Sequence, residues 1–289
     1  MKIAITGSTG LVGSALVPLL TRAGHDVICL ARPSRWDPEK GTVDPGAIDG
    51  IDALIHLAGE NIAAGRWTAA QKARIRDSRV KGTRLIAEAI AKMQKLPQVM
   101  ISASAIGYYG DRGSEILRED SAPGKGFLPD VCRQWEGATD PATRKGIRVV
   151  HLRTGVVLSK NGGALQKMLF PFKAGIGGKI GSGRQYWSWI SIDDVGSSII
   201  HCIQANGLHG PVNVVSPTPV TNLEFTKALG RVLHRPTVFP LPAFAARLVL
   251  GEMADALLLA STRVEPAKLL GSRFVFQHKD LEATLANLL

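Results

Sequence analysis

The chain has 289 residues, of which 45% are hydrophobic and 20% charged, with a net charge of +11 and three cysteines. That length suffices for a large α/β domain with an appended lobe. No apolar run reaches the roughly 18 residues that would span a bilayer, and the cysteines have no C-x-x-C spacing, which argues against a zinc site or a disulfide set. The positive charge raises the question of nucleic acid. Its densest stretch, Lys72 to Arg84, reads as a helix with charges spread all round and no interleaved aromatics, so we expect no nucleic-acid partner. We also expect no membrane partner, no signal peptide (the N-terminus is already a strand) and a reducing, cytoplasmic setting.

Lys2-Ile3-Ala4-Ile5-Thr6 is a short β-branched run that stops at Gly7-Ser8-Thr9-Gly10-Leu11-Val12-Gly13. A helical pattern follows, with Leu11, Ala15, Leu16, Leu19, Leu20 and Ala23 on one face. Strand, glycine turn and helix in this order form a phosphate-binding unit. Gly7 allows the tight turn, Gly10 lets the backbone approach a pyrophosphate, and Gly13 lets the helix pack closely. The helix start adds free N–H groups and a positive dipole end. Pro18 predicts a kink in this helix.

Asp26 to Ala31 reads as the second strand, with Arg32 at its end. Dinucleotide units that bind NAD carry an acid near this point for the ribose hydroxyls. No acid lies between Val27 and Trp36, whereas Arg32, Ser34 and Arg35 do. A guanidinium here suits a 2′-phosphate, so the expected cofactor is NADP(H). Residues 37–50 read as loop with one short strand. Asp52 to Gly59 is a continuous apolar strand, which predicts burial on both faces, and its small end, Ala58-Gly59, leaves room for a cofactor. A helix is expected from Thr68 to Met93, a strand from Val99 to Ala103 running into Ser104, a helix from Phe127 to Arg144, and a strand from Arg148 to Arg153.

Strands alternating with helices predict an α/β fold, a doubly wound parallel Rossmann sheet. Ligands bind such sheets at the carboxyl ends of the strands, where Gly7, Arg32, Ala58, Ser104 and Arg153 fall. Beyond Thr154 the character changes. Glycine-rich runs at 161–163 and 175–183 flank an apolar helical piece, Trp187 to Ile190 reads as a strand, Asp193 and Asp194 read as capping the next helix, and Pro211 to Val215 reads as a last strand. Thr221-x-x-Glu224 is a capping box. We read 1–215 as the nucleotide-binding domain, with 161–187 partly lining the substrate cleft, and 216–289 as a smaller, mostly helical lobe.

Taken together these motifs resemble the extended short-chain dehydrogenase/reductases of the nucleotide-sugar epimerase type. The resemblance rests on Thr6-Gly7-x-x-Gly10-x-x-Gly13, His56-Leu57-Ala58-Gly59, the Ser-Ala-Ser-Ala run at 102–105 with Tyr108-Tyr109-Gly110, and Trp189-Ile190-x-Ile192-Asp193-Asp194. An atypical subgroup of that family, the "epimerase family proteins", is more similar still, through Ala58 to Ile62, Phe127-Leu128 with Trp135-Glu136, Arg153 to Leu158, Gly181-Ser182-Gly183 and Arg273 to Phe276. The resemblance implies cofactor contacts from Gly7, Thr9, Gly10, Leu11, Val12, Gly13, Arg32, Leu57, Ala58, Arg79 and Arg153.

The wider family catalyses with Tyr-x-x-x-Lys, and this chain has none. The register puts Leu128 at the tyrosine, Cys132 at the lysine and Arg79 at the supporting asparagine. The serine persists as Ser104, with Ser102 as the alternative. Ser104, Cys132 and Tyr108 are therefore the candidate catalytic residues, and Tyr109 or water remain as alternative proton donors. Cys132 beside Arg79 reads either as a thiolate or as an inert buried hydrophobe. His56 and His151 read as packed in strands, and no metal is expected. The implied activity is NADP-dependent oxidoreduction of a small molecule by a monomer or homodimer. A non-catalytic NADPH-binding module and a nucleotide-sugar epimerase stand as alternatives.

Overall fold

The computed structural model describes all residues, 1–289. Six parallel strands form the central sheet: β1 (Lys2–Thr6), β2 (Asp26–Leu30), β3 (Ala53–His56), β4 (Val99–Ala105), β5 (Arg148–Thr154) and β6 (Gly210–Val214). Their spatial order is β6-β5-β4-β3-β1-β2. The chain leaves β1 toward one edge and returns across it to β3, so winding reverses between β1 and β3. Ligands seat at such a crevice in open parallel sheets.

Alternation along the strands explains the layers. Ile3, Ile5, Ile55, Ile101, Val150 and Leu152 point to one face and pack with Leu16 and Leu20 of α1 (Leu11–Arg22). Ala4, Leu54, Met100 and Val149 point to the other and pack with Ile86 and Ile90 of α2 (Ala69–Ala91). Both faces are covered, which is why these strands read as unbroken apolar runs.

Four local expectations need correction. Helix α1 runs without interruption through Pro18, which lies on its exposed side and forfeits one backbone bond. The helix expected over 127–144 divides into α3 (Phe127–Gly137) and a short helix, Asp140–Arg144. Thr139 and Pro141 cause the break. The Thr139 hydroxyl donates to the Glu136 carbonyl at 2.7 Å, and Pro141 has no N–H to continue the ladder. The strand expected at 187–190 divides at the buried Ser188 into Tyr186–Trp187 and Trp189–Ser191, which pair with different partners. The helix after it, α4 (Ile192–Gln204), is capped by Ser191, whose oxygen accepts from Asp194 N at 3.0 Å. The Asp194 carboxylate instead holds the C-terminal segment, accepting from the backbone of Gln277 at 2.8 Å and His278 at 3.0 Å.

The C-terminal region is mostly helical and sewn to the sheet domain. Helix α5 (Asn222–Leu233) opens with the Thr221/Glu224 capping box and packs with α6 (Leu281–Leu288) around Trp187 and Phe225. Arg263–Val264 pairs in parallel with Ile116–Leu117.

Candidate functional site

The glycine turn sits at the carboxyl end of β1, against the end of β3. Gly7 has φ +73°, and a Cβ there would lie 2.8 Å from the Ala58 nitrogen. A Cβ on Gly13 would lie 2.1 Å from the Gly7 carbonyl oxygen, so Gly13 is required by the turn itself rather than by the sheet. Gly10 differs from both. A Cβ there would meet only the Gly7 oxygen, at 3.4 Å, and would otherwise enter open space. Gly10 is also the N-cap of α1, which has no side-chain cap and no acid in its first turn. Unspent backbone N–H groups beside an open glycine fit a pyrophosphate. Thr9 is exposed beside them, and Leu11, Val12, Leu57 and Ala58 are half-buried around the turn.

Arg32 stands exposed past the end of β2, its guanidinium 5.9 Å from the Trp36 ring centroid. Arg79 comes from α2 and lies across the end of β3. Its Nη1 donates to the Glu60 carbonyl at 3.0 Å and to the Ile75 carbonyl at 3.1 Å, and the guanidinium lies 4.9 Å from the Trp135 ring centroid. Burial lowers its pKa, though the nearby Cys132 and Glu60 act in the opposite direction. The guanidinium packs over Gly59, where a Cβ would lie 3.4 Å from its carbon, an ordinary contact.

The positions expected to match the family's catalytic pair do face the end of β4. A Cβ built on Gly107 would lie 3.4 Å from Leu128 and 3.9 Å from the Cys132 sulfur. Cys132 is 3% exposed, and burial, followed by the charge of Glu136, pushes its thiol up to about 12. It is a buried thiol, not a thiolate.

Ser104, Arg153 and Tyr109 are joined in a buried network that sequence spacing does not reveal. The Ser104 hydroxyl donates to Glu136 Oε1 at 2.7 Å. Arg153 donates to both oxygens of Glu136 from Nε and Nη2, and from Nη1 to the Tyr109 hydroxyl at 3.0 Å and the Glu119 carbonyl at 3.1 Å. Tyr109 in turn donates to Asn213 Oδ1 at 2.7 Å, and burial pushes its phenol up to about 12. Ser104 and Arg153 are 4% and 3% exposed. Their polar atoms are spent on protein partners. Ser102 is fully buried and contacts only a neighbouring backbone oxygen.

Tyr108 is the exception. It is half-buried, its ring rests 3.5 Å from the Arg153 guanidinium and edge-on to Tyr109, and its hydroxyl is engaged by nothing in the chain. Glu136 is the residue sequence reasoning passed over. Its signal was present: Leu128, Cys132 and Glu136 recur every fourth residue on one face of an amphipathic helix, and an acid on such a buried stripe needs a partner. His56 is fully buried in its strand and His151 half-buried in its own. His56 contacts the Thr6 hydroxyl at 2.7 Å through Nδ1, while its Nε2 has no partner.

Comparison with known proteins places this geometry in a lineage. Residues 3–215 match the NAD dependent epimerase/dehydratase family, and residues 241–288 match a domain of unknown function, DUF1731. An epimerase family protein of Mycobacterium bovis is 43% identical over 98% of this chain and 96% of its own length. The chain belongs to the epimerase/dehydratase family, among the epimerase family proteins. A crystal structure of human epimerase family protein SDR39U1 (isoform 2) with NADPH superposes with a TM-score of 0.91 at 33% identity, covering 100% of this chain and 99% of that one. A nucleoside-diphosphate sugar epimerase from Corynebacterium glutamicum gives 0.82 at 40% identity, covering 100% of this chain and 58% of that one. These likenesses also carry the Rossmann-type fold.

Proposed function

We propose that this protein is an NADP(H)-dependent oxidoreductase that interconverts a carbonyl and an alcohol on a small molecule. The observation that carries the reading is the open face of Gly10 beside the uncapped start of α1. The NADPH in the SDR39U1 crystal structure supports it. In this reading Gly10 and the N–H groups of Leu11, Val12 and Gly13 receive the pyrophosphate, with Thr9, Leu57 and Ala58 around it. Arg32 meets the 2′-phosphate, and Arg79 provides positive charge near the cofactor. A bound reduced nicotinamide supplies hydride.

Tyr108 is the proton donor we assign, because its hydroxyl is free while Tyr109 and Ser104 are buried and committed and Cys132 is a buried thiol. A positioned donor contributes roughly 10²–10⁴-fold. Ser104 and Arg153 act on the site indirectly. Arg153 supports the Tyr108 ring from beneath through a cation–π contact, and Glu136 holds Arg153 and Ser104 in register. The test is NADPH oxidation by the purified protein against a panel of carbonyl compounds. On a verified substrate Tyr108→Phe should slow turnover by about 10²-fold and leave cofactor affinity unchanged. Full rate in that variant would remove Tyr108 from the chemistry.

Leu128 and Cys132 at the positions of the family's acid/base pair favour one second reading, a non-catalytic NADPH-binding module. Tight NADPH binding without turnover of any carbonyl would select it.

A further inference from the structure

Two segments lie side by side at the surface. Residues 163–184 contain the helix Gly163–Lys173, and residues 235–251 contain the helix Ala243–Leu250. Backbone bonds join them: Leu241 N donates to the Lys179 carbonyl at 2.8 Å, and Gly181 N to the Leu241 carbonyl at 2.9 Å. Arg235 Nε adds a bond to the Lys173 carbonyl at 3.0 Å. On this surface Phe170, Ile176, Val238, Phe239, Phe244 and Leu248 are between 57% and 78% exposed. Phe244 and Leu248 are one turn apart on a helix whose only buried residue is Ala246. Scattered exposed apolar residues are ordinary, but six on two segments bonded to each other mark a surface that meets something apolar.

Charge narrows what that is. Residues 163–184 carry four basic and no acidic side chains, and residues 235–251 carry two and none. Arg247 pairs with Asp255, which leaves five of the six without a carboxylate partner. A second copy docking through this face would set the same positive charge against itself, which opposes association. The apolar side chains stand out from two helices and a loop instead of lining a groove, so they do not form a pocket for a peptide. A fluid anionic surface with an apolar interior meets both requirements.

We propose that this face docks on an anionic lipid bilayer, with the apolar side chains entering the boundary between headgroups and acyl chains and the lysines and arginines resting on the headgroups. The docking is peripheral, since no helix is long and apolar enough to cross a membrane. It departs from the expectation of no membrane partner drawn from the sequence, and it stands apart from the oxidoreductase reading.

The test is co-sedimentation of the full chain with vesicles of phosphatidylcholine alone and with vesicles containing equal parts phosphatidylglycerol, at low and high salt. Binding to the anionic vesicles should exceed binding to the neutral ones by at least about tenfold and weaken as salt screens the charges. Phe244→Ser with Leu248→Ser should reduce it by at least about tenfold, with far-ultraviolet circular dichroism unchanged. Phe244→Trp provides a check that does not depend on that double variant folding, because the emission of the introduced indole should shift to the blue on anionic vesicles. The proposal is overturned by no binding to anionic vesicles at low salt, by equal binding of the double variant, or by an unshifted emission spectrum in the Phe244→Trp variant. It is also overturned by a solution dimer that the double variant dissolves, which would assign the face to a second copy.

Discussion

Arg153 grips Glu136 through two parallel hydrogen bonds, Nε to Oε1 at 2.8 Å and Nη2 to Oε2 at 2.9 Å, and so ties β5 to α3 inside the protein. A bidentate pair of this kind is short, directional and charge-assisted. The arginine is 3% and the glutamate 12% exposed, so removing either partner leaves the other charge in a poorly solvated place.

Glu136→Gln should therefore destabilise the fold by roughly 3 kcal/mol, read as a lower midpoint in urea with an unchanged slope. Replacing both residues with apolar ones of similar volume, Glu136→Leu with Arg153→Met, should cost less than the sum of the single changes. Additive losses would mean that the two side chains are not coupled.

Cofactor choice is expected to depend on Arg32. A charge-assisted contact to a phosphate contributes roughly 1.5–3 kcal/mol, so NADPH should bind at least about tenfold more tightly than NADH. Arg32→Ala should remove most of that preference without altering stability, because the side chain is exposed. Equal wild-type dissociation constants by calorimetric titration would contradict this.

His56 makes stability depend on pH. Burial pushes its ring down to about 4 from an ordinary 6.5. The unfolded chain therefore takes up the proton first. The stability linked to a neutral His56 is complete above about pH 6.5 and is lost progressively as pH falls toward 4. For a fully buried ring the difference amounts to about 3 kcal/mol. Burial shifts His151 in the same direction. Denaturation curves across this range should show the slope, and the His56 ring resonances should stay flat on acidification through neutrality to mildly acidic pH. A titration midpoint near the ordinary 6.5 would mean that the ring is solvated.

The three thiols should divide by burial. Cys132 and Cys202 are buried and both pushed up to about 12, while Cys29 is partly accessible. Iodoacetamide at neutral pH should modify Cys29 first in the native protein and all three after denaturation. Rapid native alkylation of Cys132 would restore the thiolate reading.

The contrast between the glycine turn and the Glu136 network follows from how each is encoded. Residues 2–22 declare a strand, a turn and a helix through local periodicity, and Gly7, Gly10 and Gly13 meet one another within two turns of backbone. The alternating strands of the sheet are legible for the same reason. The network draws Ser104, Tyr109, Glu119, Glu136, Arg153 and Asn213 from separate elements, and no local pattern joins them. Ser104 at a strand end looks available in sequence, but the pleat turns it toward α3 and into contact with Glu136. The helix break at 138–140 was hidden because Thr139 has a use that propensity does not register: its buried hydroxyl also contacts His151 Nε2 at 2.9 Å.

Phe276 and Leu269 lie in the same core as Ile3, Ile5 and Val150. Strand β1 therefore waits for packing partners that are made much later in synthesis. Until those residues emerge, one face of the sheet lacks part of its cover, and Asp194 lacks the backbone of Gln277 and His278 that its carboxylate holds. A chain cut after Val215 keeps all six strands of the sheet yet exposes that face. Such a fragment should be retained by chaperones rather than fold as a free-standing nucleotide-binding domain, and the nascent protein should resist proteolysis only once residues 269–278 have been released.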